Sequence, residues 1–329
     1  MLFSVIIPVY NRPQEVKELL ESLFHQNYRD FEVILVEDGS SVSSWEVVEQ
    51  FTTKLDVHYF SKANSGPGQA RNYGAERAKG EYLIILDSDV IVPQGYFEAI
   101  CKELNSEPAD AFGGPDRADD SFTPMQKAIN YSMTSFFTTG GIRGGKNKMD
   151  KFYPRSFNMG VRRTVYEALG GFSKMRFGED IDFSIRIFKG GYRCRLFPDA
   201  WVFHKRRTDL IKFFRQVHNS GIARINLYKK YPESLKIVHL LPAFFTVGVA
   251  LLLLGSWLTF FSPLLLMLYA MAIFIDASIE TGSIGIGLRT VAASFIQLTG
   301  YGTGFLLAWW LRCIMGKDEF QAFESSFYK

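Results

Sequence analysis

Three polar clusters in this chain directly follow apolar runs: Tyr10-Asn11-Arg12, Glu37-Asp38-Gly39-Ser40 and Asp87-Ser88-Asp89. Carboxylates at the end of a strand can hold Mg2+ or Mn2+, and an ion held there bridges adjacent phosphate oxygens. Turns from strand to helix also use Asn, Asp, Gly and Ser, so each cluster alone has an ordinary explanation. Two acidic clusters ending one sheet are harder to explain that way. A further acidic group, Glu179-Asp180-Ile181-Asp182, follows Phe177-Gly178. A carboxylate there can take a proton from a hydroxyl within hydrogen-bond reach, or it can cap a helix and favour its macrodipole. His204 ends the apolar stretch Ala200-Trp201-Val202-Phe203 and precedes Lys205-Arg206-Arg207. A neutral imidazole suits Mn2+, and it equally pairs with phosphate or backbone.

The elements that would position these residues are legible in the apolar pattern. Leu2–Val9 is a continuous apolar run, as a strand buried on both faces should be. Gln14–Phe24 has helical spacing, with Val16, Leu19, Leu20 and Leu23 on one face and Pro13 near its start. Phe31–Val36 predicts a second buried strand, Trp45–Phe51 a helix and Val57–Phe60 a short strand. Gly66–Ala78 contains the next helix, and Tyr82–Leu86 the next strand. Strands alternating with helices predict an α/β domain whose mostly parallel sheet is covered on both faces. Such sheets bind ligands beyond the carboxyl ends of their strands, where the polar clusters converge.

The chain has 329 residues and a formal net charge of only +3, enough for one large domain plus an appendage and no reason to expect nucleic acid as partner. Cys101, Cys194 and Cys313 are far apart, so neither a disulfide framework nor a cysteine zinc site is expected, and a reducing compartment fits. The opening Met1-Leu2-Phe3-Ser4-Val5 reads as a strand and not as a secretory signal.

In order along the chain, Val5-Ile6-Ile7-Pro8-Val9-Tyr10-Asn11, Val36-Glu37-Asp38-Gly39-Ser40, Gly66-Pro67-Gly68-Gln69-Ala70-Arg71-Asn72, Asp87-Ser88-Asp89 and Gly178-Glu179-Asp180 resemble the GT-A fold, family 2 of the inverting glycosyltransferases. The resemblance runs from about Leu2 to His204. It implies a nucleotide-diphosphate sugar donor, UDP-linked by preference, a divalent metal (Mn2+ or Mg2+) and inversion at the anomeric carbon. By the same resemblance Asp87, Asp89 and His204 hold the metal. Pro8, Tyr10, Asp38, Arg71 and Asp87 bind the nucleotide sugar. Asp180 is the catalytic base, and Glu179 and Asn158 face the acceptor. Glu37 stands where the family often has aspartate. The processive members carry QxxRW, of which Gln216-Val217-His218-Asn219-Ser220 keeps only the glutamine, so long-chain processive synthesis is not expected. Gly113–Lys151, with its glycine-rich basic stretch Gly140–Lys146, matches no pattern; a flexible loop or an acceptor-phosphate cradle both remain open, and Lys146 lacks the Ser or Thr of a P-loop.

Near Ile237 the composition changes. From there to Gly316 only Asp276, Glu280, Arg289 and Arg312 are charged. Val238–Phe261 is long enough to cross roughly 30 Å of hydrocarbon as a helix. Pro263–Ile275 completes a hairpin, Ser278–Arg289 reads as its connection, and Thr290–Leu311 is a third apolar stretch. Gly300, Gly302 and Gly304 permit close helix packing but are spaced two apart, unlike GxxxG, and so give no firm dimer signal. Leu210–Tyr231 interleaves apolar and basic residues like a helix lying in the interface plane. Lys229, Lys230 and Lys236 before the first span put that side in the cytoplasm.

These readings divide the chain into a GT-A domain (1–207), an amphipathic interfacial segment (208–236), a membrane region of two or three helices (237–316) and a polar tail (317–329). The expected protein is an integral membrane glycosyltransferase with a cytoplasmic catalytic domain and a saccharide or lipid-linked acceptor. Two rivals are a non-catalytic nucleotide-sugar-binding membrane protein and a nucleotidyltransferase. Asp87-Ser88-Asp89, Glu179-Asp180 and His204 together disfavour the first, and Glu179-Asp180 disfavours the second.

Overall fold

The computed structural model describes residues 2–117, 122–139, 152–175, 177–256 and 261–319. The glycine-rich stretch 140–146 and the end of the polar tail lie outside them. In chain order the elements begin β1 (Phe3–Val9), α1 (Pro13–Phe24), β2 (Phe31–Asp38), α2 (Trp45–Glu49), β3 (Val57–Lys62), α3 (Pro67–Ala75) and β4 (Tyr82–Leu86). Next come β5 (Val90–Ile91), α4 (Tyr96–Ser106), β6 (Ala111–Gly113), β7 (Asp116–Arg117), α5 (Pro124–Thr134) and α6 (Phe136–Thr139). Then follow β8 (Asn158–Arg162), α7 (Arg163–Ala168), α8 (Glu179–Lys189), β9 (Cys194–Leu196) and β10 (Val202–His204). The chain closes with α9 (Leu210–Lys230), α10 (Leu241–Gly255), α11 (Phe261–Thr281) and α12 (Ile284–Trp309).

Packing groups these elements into two units. The first contains a seven-stranded sheet in the order β3-β2-β1-β4-β8-β6-β9. Strands β3, β2, β1 and β4 are parallel, and β8 runs antiparallel between β4 and β6. The apolar runs of β1, β2 and β4 are buried along their whole length because side chains on both faces meet a core. Val5 and Ile7 pack on one side with Val16, Leu19 and Leu23 of α1 and Phe97 of α4. Ile6, on the other side, packs with Ala70 of α3, Val165 of α7 and Phe183 of α8. The expected mostly parallel sheet with helices on both faces is therefore present. Helix α2 ends two residues before the expected Phe51, and β3 continues two residues past Phe60.

A second, three-stranded sheet in the order β5-β10-β7 sits in the same unit. Its pairing sets His204 opposite Val90, one residue past Asp89. Strand pairing, not chain proximity, makes this juxtaposition.

The second unit is helical and takes in residues 122–139 as well as the chain from 205 on. Ile129 and Met133 of α5 bury against Phe213 and Val217 of α9 and Ala293 of α12. Ile211 and Phe214 of α9 stay exposed. Among the described residues, three helices are long and apolar enough to cross a membrane: Ile237–Gly255, Pro263–Thr281 and Ile284–Ile314. The expected connection Ser278–Arg289 is overturned, because only Gly282 and Ser283 interrupt the helices there. Gly282 turns the chain at φ +63°, and the Ser283 hydroxyl accepts from the Ile286 amide to cap α12. The close helix packing that the α12 glycines permit is present. Gly300 and Gly304 are four apart and share one face, where a Cβ would strike Val217 and the His218 carbonyl of α9. Gly302 faces the Pro242 carbonyl of α10 instead. The small residues therefore let α12 approach two neighbours within the chain.

Candidate active site

The ends of β4 and β10 bring three potential ligands together. One carboxylate oxygen each from Asp87 and Asp89 and a ring nitrogen of His204 lie within 4.8 Å of one another. His204 Nε2 is 3.3 Å from Asp89 Oδ1, and its Nδ1 is 3.9 Å from Asp116 Oδ2 on β7. Phe157 stacks on the imidazole with ring centroids 4.9 Å apart, which fixes the ring plane. Two carboxylates and an imidazole match the donor preferences of Mn2+, so these residues fit a divalent ion. Arg12 donates to Asp89 Oδ2 from the loop after β1, and the carboxylate outweighs burial to raise the guanidinium pKa.

Arg71 ties this end of the sheet to the second acid pair. Buried on α3 and lying 5.2 Å over the Phe172 ring, it donates from Nη2 to Asp87 Oδ1 at 2.7 Å. Its Nη1 donates to Glu179 Oε1 at 3.0 Å. Burial would lower its pKa, yet Asp87 and Glu179 hold it above the ordinary arginine value. The two carboxylates compensate the burial of the guanidinium charge.

Glu179 and Asp180 open α8 after Gly178, which adopts φ +84°, a turn that a side chain would resist. Asp180 accepts from Arg155 Nε at 2.6 Å and from the Ile181 amide at 2.8 Å. Burial pushes its carboxyl up, but Arg155 more than offsets this and the pKa ends below the usual range. Glu179 moves the other way: burial outweighs the attraction of Arg71 and raises it. Environments that push neighbouring carboxyls apart are a mark of acid–base sites. Asp182, fully buried, accepts from Arg186 Nε at 3.0 Å. Arg186 in turn donates to the Leu169 and Gly171 carbonyls, so this carboxylate braces the turn beside α8.

Residues 4–170 match the family described as glycosyl transferase family 2. The chain belongs to glycosyl transferase family 2. The glycosyltransferase GlyG of Streptococcus pneumoniae serotype 4 is 35% identical over 127 residues, which are 37% of this chain and 42% of that protein. The uncharacterised glycosyltransferase EpsJ of Bacillus subtilis is 26% identical over 217 residues, 63% of this chain and 62% of EpsJ. The matches thus span less than two thirds of either relative. The mannosyltransferase PcManGT of Pyrobaculum calidifontis, solved with GDP-Man and Mn2+, shares the fold with a TM-score of 0.63 at 19% identity. That similarity covers 89% of this chain and 86% of PcManGT. The GT-A fold expected from the sequence is the fold found.

The remaining expected site residues of this family 2 chain fall into place less uniformly. Pro8 is buried in β1 opposite Val36, and Tyr10 is half-buried just beyond the strand end. Asp38 lies at the end of β2, but its carboxylate is turned to the 62–66 segment. It accepts from the Ser65 and Gly66 amides at 2.9 and 2.8 Å and from Lys62 Nζ at 3.0 Å. Asn158 is buried with both ends of its amide engaged: Tyr96 Oη donates to it at 2.6 Å, and it donates to the Ala200 carbonyl at 2.8 Å. This geometry makes it a strut between α4 and the bend at Ala200 before β10. Arg206 of the basic cluster donates to Asn130 of α5. Three partners were not singled out from the sequence: Arg155 on Asp180, Asp116 beside His204 and the Phe157 ring. Nothing in their spacing announces them, since each comes from a segment distant in the chain. Arg12 lay within a noted polar cluster, without a role.

Proposed function

We propose that this chain is an inverting glycosyltransferase that moves a sugar from a nucleoside-diphosphate sugar to an acceptor hydroxyl. The observation that carries this reading is Arg71, whose guanidinium joins Asp87 of the strand-end cluster to Glu179 of the acid pair. A donor-activating group and a proton acceptor thereby share one site. Asp87, Asp89 and His204 would hold Mg2+ or Mn2+, which when bound neutralises the diphosphate as the bond to the sugar breaks. Tyr10 and Pro8 flank the nucleotide, while Asp38 shapes its pocket by holding the 62–66 segment. Asp180, ionised at neutral pH in this geometry, takes the proton of the attacking hydroxyl. Glu179 orients the acceptor side while Arg71 holds it.

A membrane-associated acceptor, such as a lipid-linked saccharide, is supported by the three apolar helices. The basic residues Lys229, Lys230 and Lys236 ahead of α10 favour a cytoplasmic catalytic unit. A panel of nucleotide sugars assayed for transfer with and without Mn2+ tests the reading. Turnover at full rate after chelation removes the metal from the proposal. An α-linked donor giving an α-linked product removes inversion.

A further inference from the structure

A second set of ligand-type side chains lies on the opposite edge of the sheet, where β2 and β3 begin. Glu32, Asp56 and His58 each offer one atom, and the three atoms lie within 4.8 Å of one another. Glu32 is the informative member. Its side chain is 2% exposed in a position where an unpaired carboxylate is costly. One oxygen, Oε1, accepts from Ser4 Oγ at 2.6 Å and from the Lys79 amide at 2.6 Å. Ser4 Oγ in turn accepts from the Gly80 amide at 2.7 Å. The other oxygen, Oε2, is buried, receives no hydrogen bond and points at His58.

His58 Nε2 stands 3.5 Å from Glu32 Oε2 and 3.1 Å from Asp56 Oδ1, and it too makes no hydrogen bond. A tetrahedral ion with bonds of about 2.0–2.1 Å sets its ligand atoms about 3.3–3.4 Å apart. The two observed separations bracket that edge. Nε2 carries one proton at most, so one imidazole cannot donate to both carboxylates.

We propose that Glu32, Asp56 and His58 form a second divalent-cation site, separate from the strand-end cluster and suited to Zn2+. A nitrogen and two carboxylate oxygens are a Zn2+ donor set, and the exposure of Asp56 leaves room for water in the fourth position. Ser4 and the Lys79 amide supply the outer shell that orients the buried ligand. The site would fasten the start of β3, the edge strand, to β2.

Equilibrium dialysis against Zn2+ tests this on the chelator-treated, detergent-solubilised full chain carrying Asp87→Asn and Asp89→Asn, which removes the other cluster. One Zn2+ per chain should be retained and should raise the melting temperature. Adding His58→Ala or Asp56→Asn should weaken retention by more than about tenfold, and Ser4→Ala by about tenfold. Both ligand variants change exposed or half-exposed residues, and melting without Zn2+ confirms that they fold. Absence of retained Zn2+, or retention unchanged in both ligand variants, overturns the site. So does an NMR titration in which His58 protonates as a bridge between the two carboxylates and ignores added Zn2+.

Discussion

The two acid pairs of the catalytic unit are built from the same carboxyl chemistry and gather different partners. Asp87 and Asp89 follow a buried strand and gather His204 around them, with Asp87 about 29% exposed and open to a ligand. Glu179 and Asp180 open a helix and accept from arginines, Glu179 from the Arg71 that it shares with Asp87 and Asp180 from Arg155. The first arrangement leaves converging lone pairs for a cation. The second fixes orientation and splits the pKa values, with Glu179 up and Asp180 down. Local sequence is acidic in both places, so the difference in role arises from what the fold brings to each.

The sharpest test of that contrast is Asp180→Asn. It should lower transfer by about 10²–10⁴-fold while nucleotide binding stays nearly intact. An equal fall in donor affinity, read by titration calorimetry, would place Asp180 with the donor instead and erase the contrast.

Asp89→Asn should cost about 10²–10³-fold in kcat, the range for a lost stabiliser of developing charge, and should weaken Mn2+ binding in parallel. Circular dichroism and melting should match the parent protein. Unchanged Mn2+ affinity would show that the strand-end pair is not the cation site.

Arg155→Gln probes the grip on Asp180. The parent carboxyl lies below its ordinary pKa because Arg155 offsets burial. Without the guanidinium, burial prevails and the pKa rises. The acidic limb of the kcat/KM profile should therefore move to higher pH, with activity lost first on the acid side. A limb that stays in place would mean Arg155 does not tune the base.

Asn158→Ala should have the smallest catalytic effect. It leaves the buried Tyr96 hydroxyl without its acceptor and should cost about 1–3 kcal/mol of stability. The KM for acceptor should not change, in contrast to a residue that touches the acceptor. A raised KM with an unchanged melting temperature would return Asn158 to the acceptor side.

Much of this was legible in the residues because the relevant physics is local. The uninterrupted apolar run of β1 can only be a strand covered on both faces, and the i, i+3, i+4 spacing of Val16, Leu19, Leu20 and Leu23 names the buried side of α1. Asn158 was not legible in the same way, because polarity beside a strand looks the same whether the amide faces a ligand or a buried hydroxyl. Asp38 is similar, since loop-holding and ligand-holding carboxylates are indistinguishable until the donors around them are known.

The sequence alone determined the alternating elements, the acidic strand ends and the apolar C-terminal helices, each of which follows from composition or periodicity over a short window, while the family followed from the resemblance of its ordered motifs. Only the tertiary structure decided which charges meet. His204 reaches Asp89 because β10 pairs antiparallel with β5, and Arg155 reaches Asp180 because the segment before β8 lies over the start of α8. Gly300 and Gly304 became a helix-packing face in the same way, through a neighbour contributed by α9. Such contacts depend on long-range pairing and close packing, in which a side chain's partner is chosen by geometry and leaves no mark on the residues beside it.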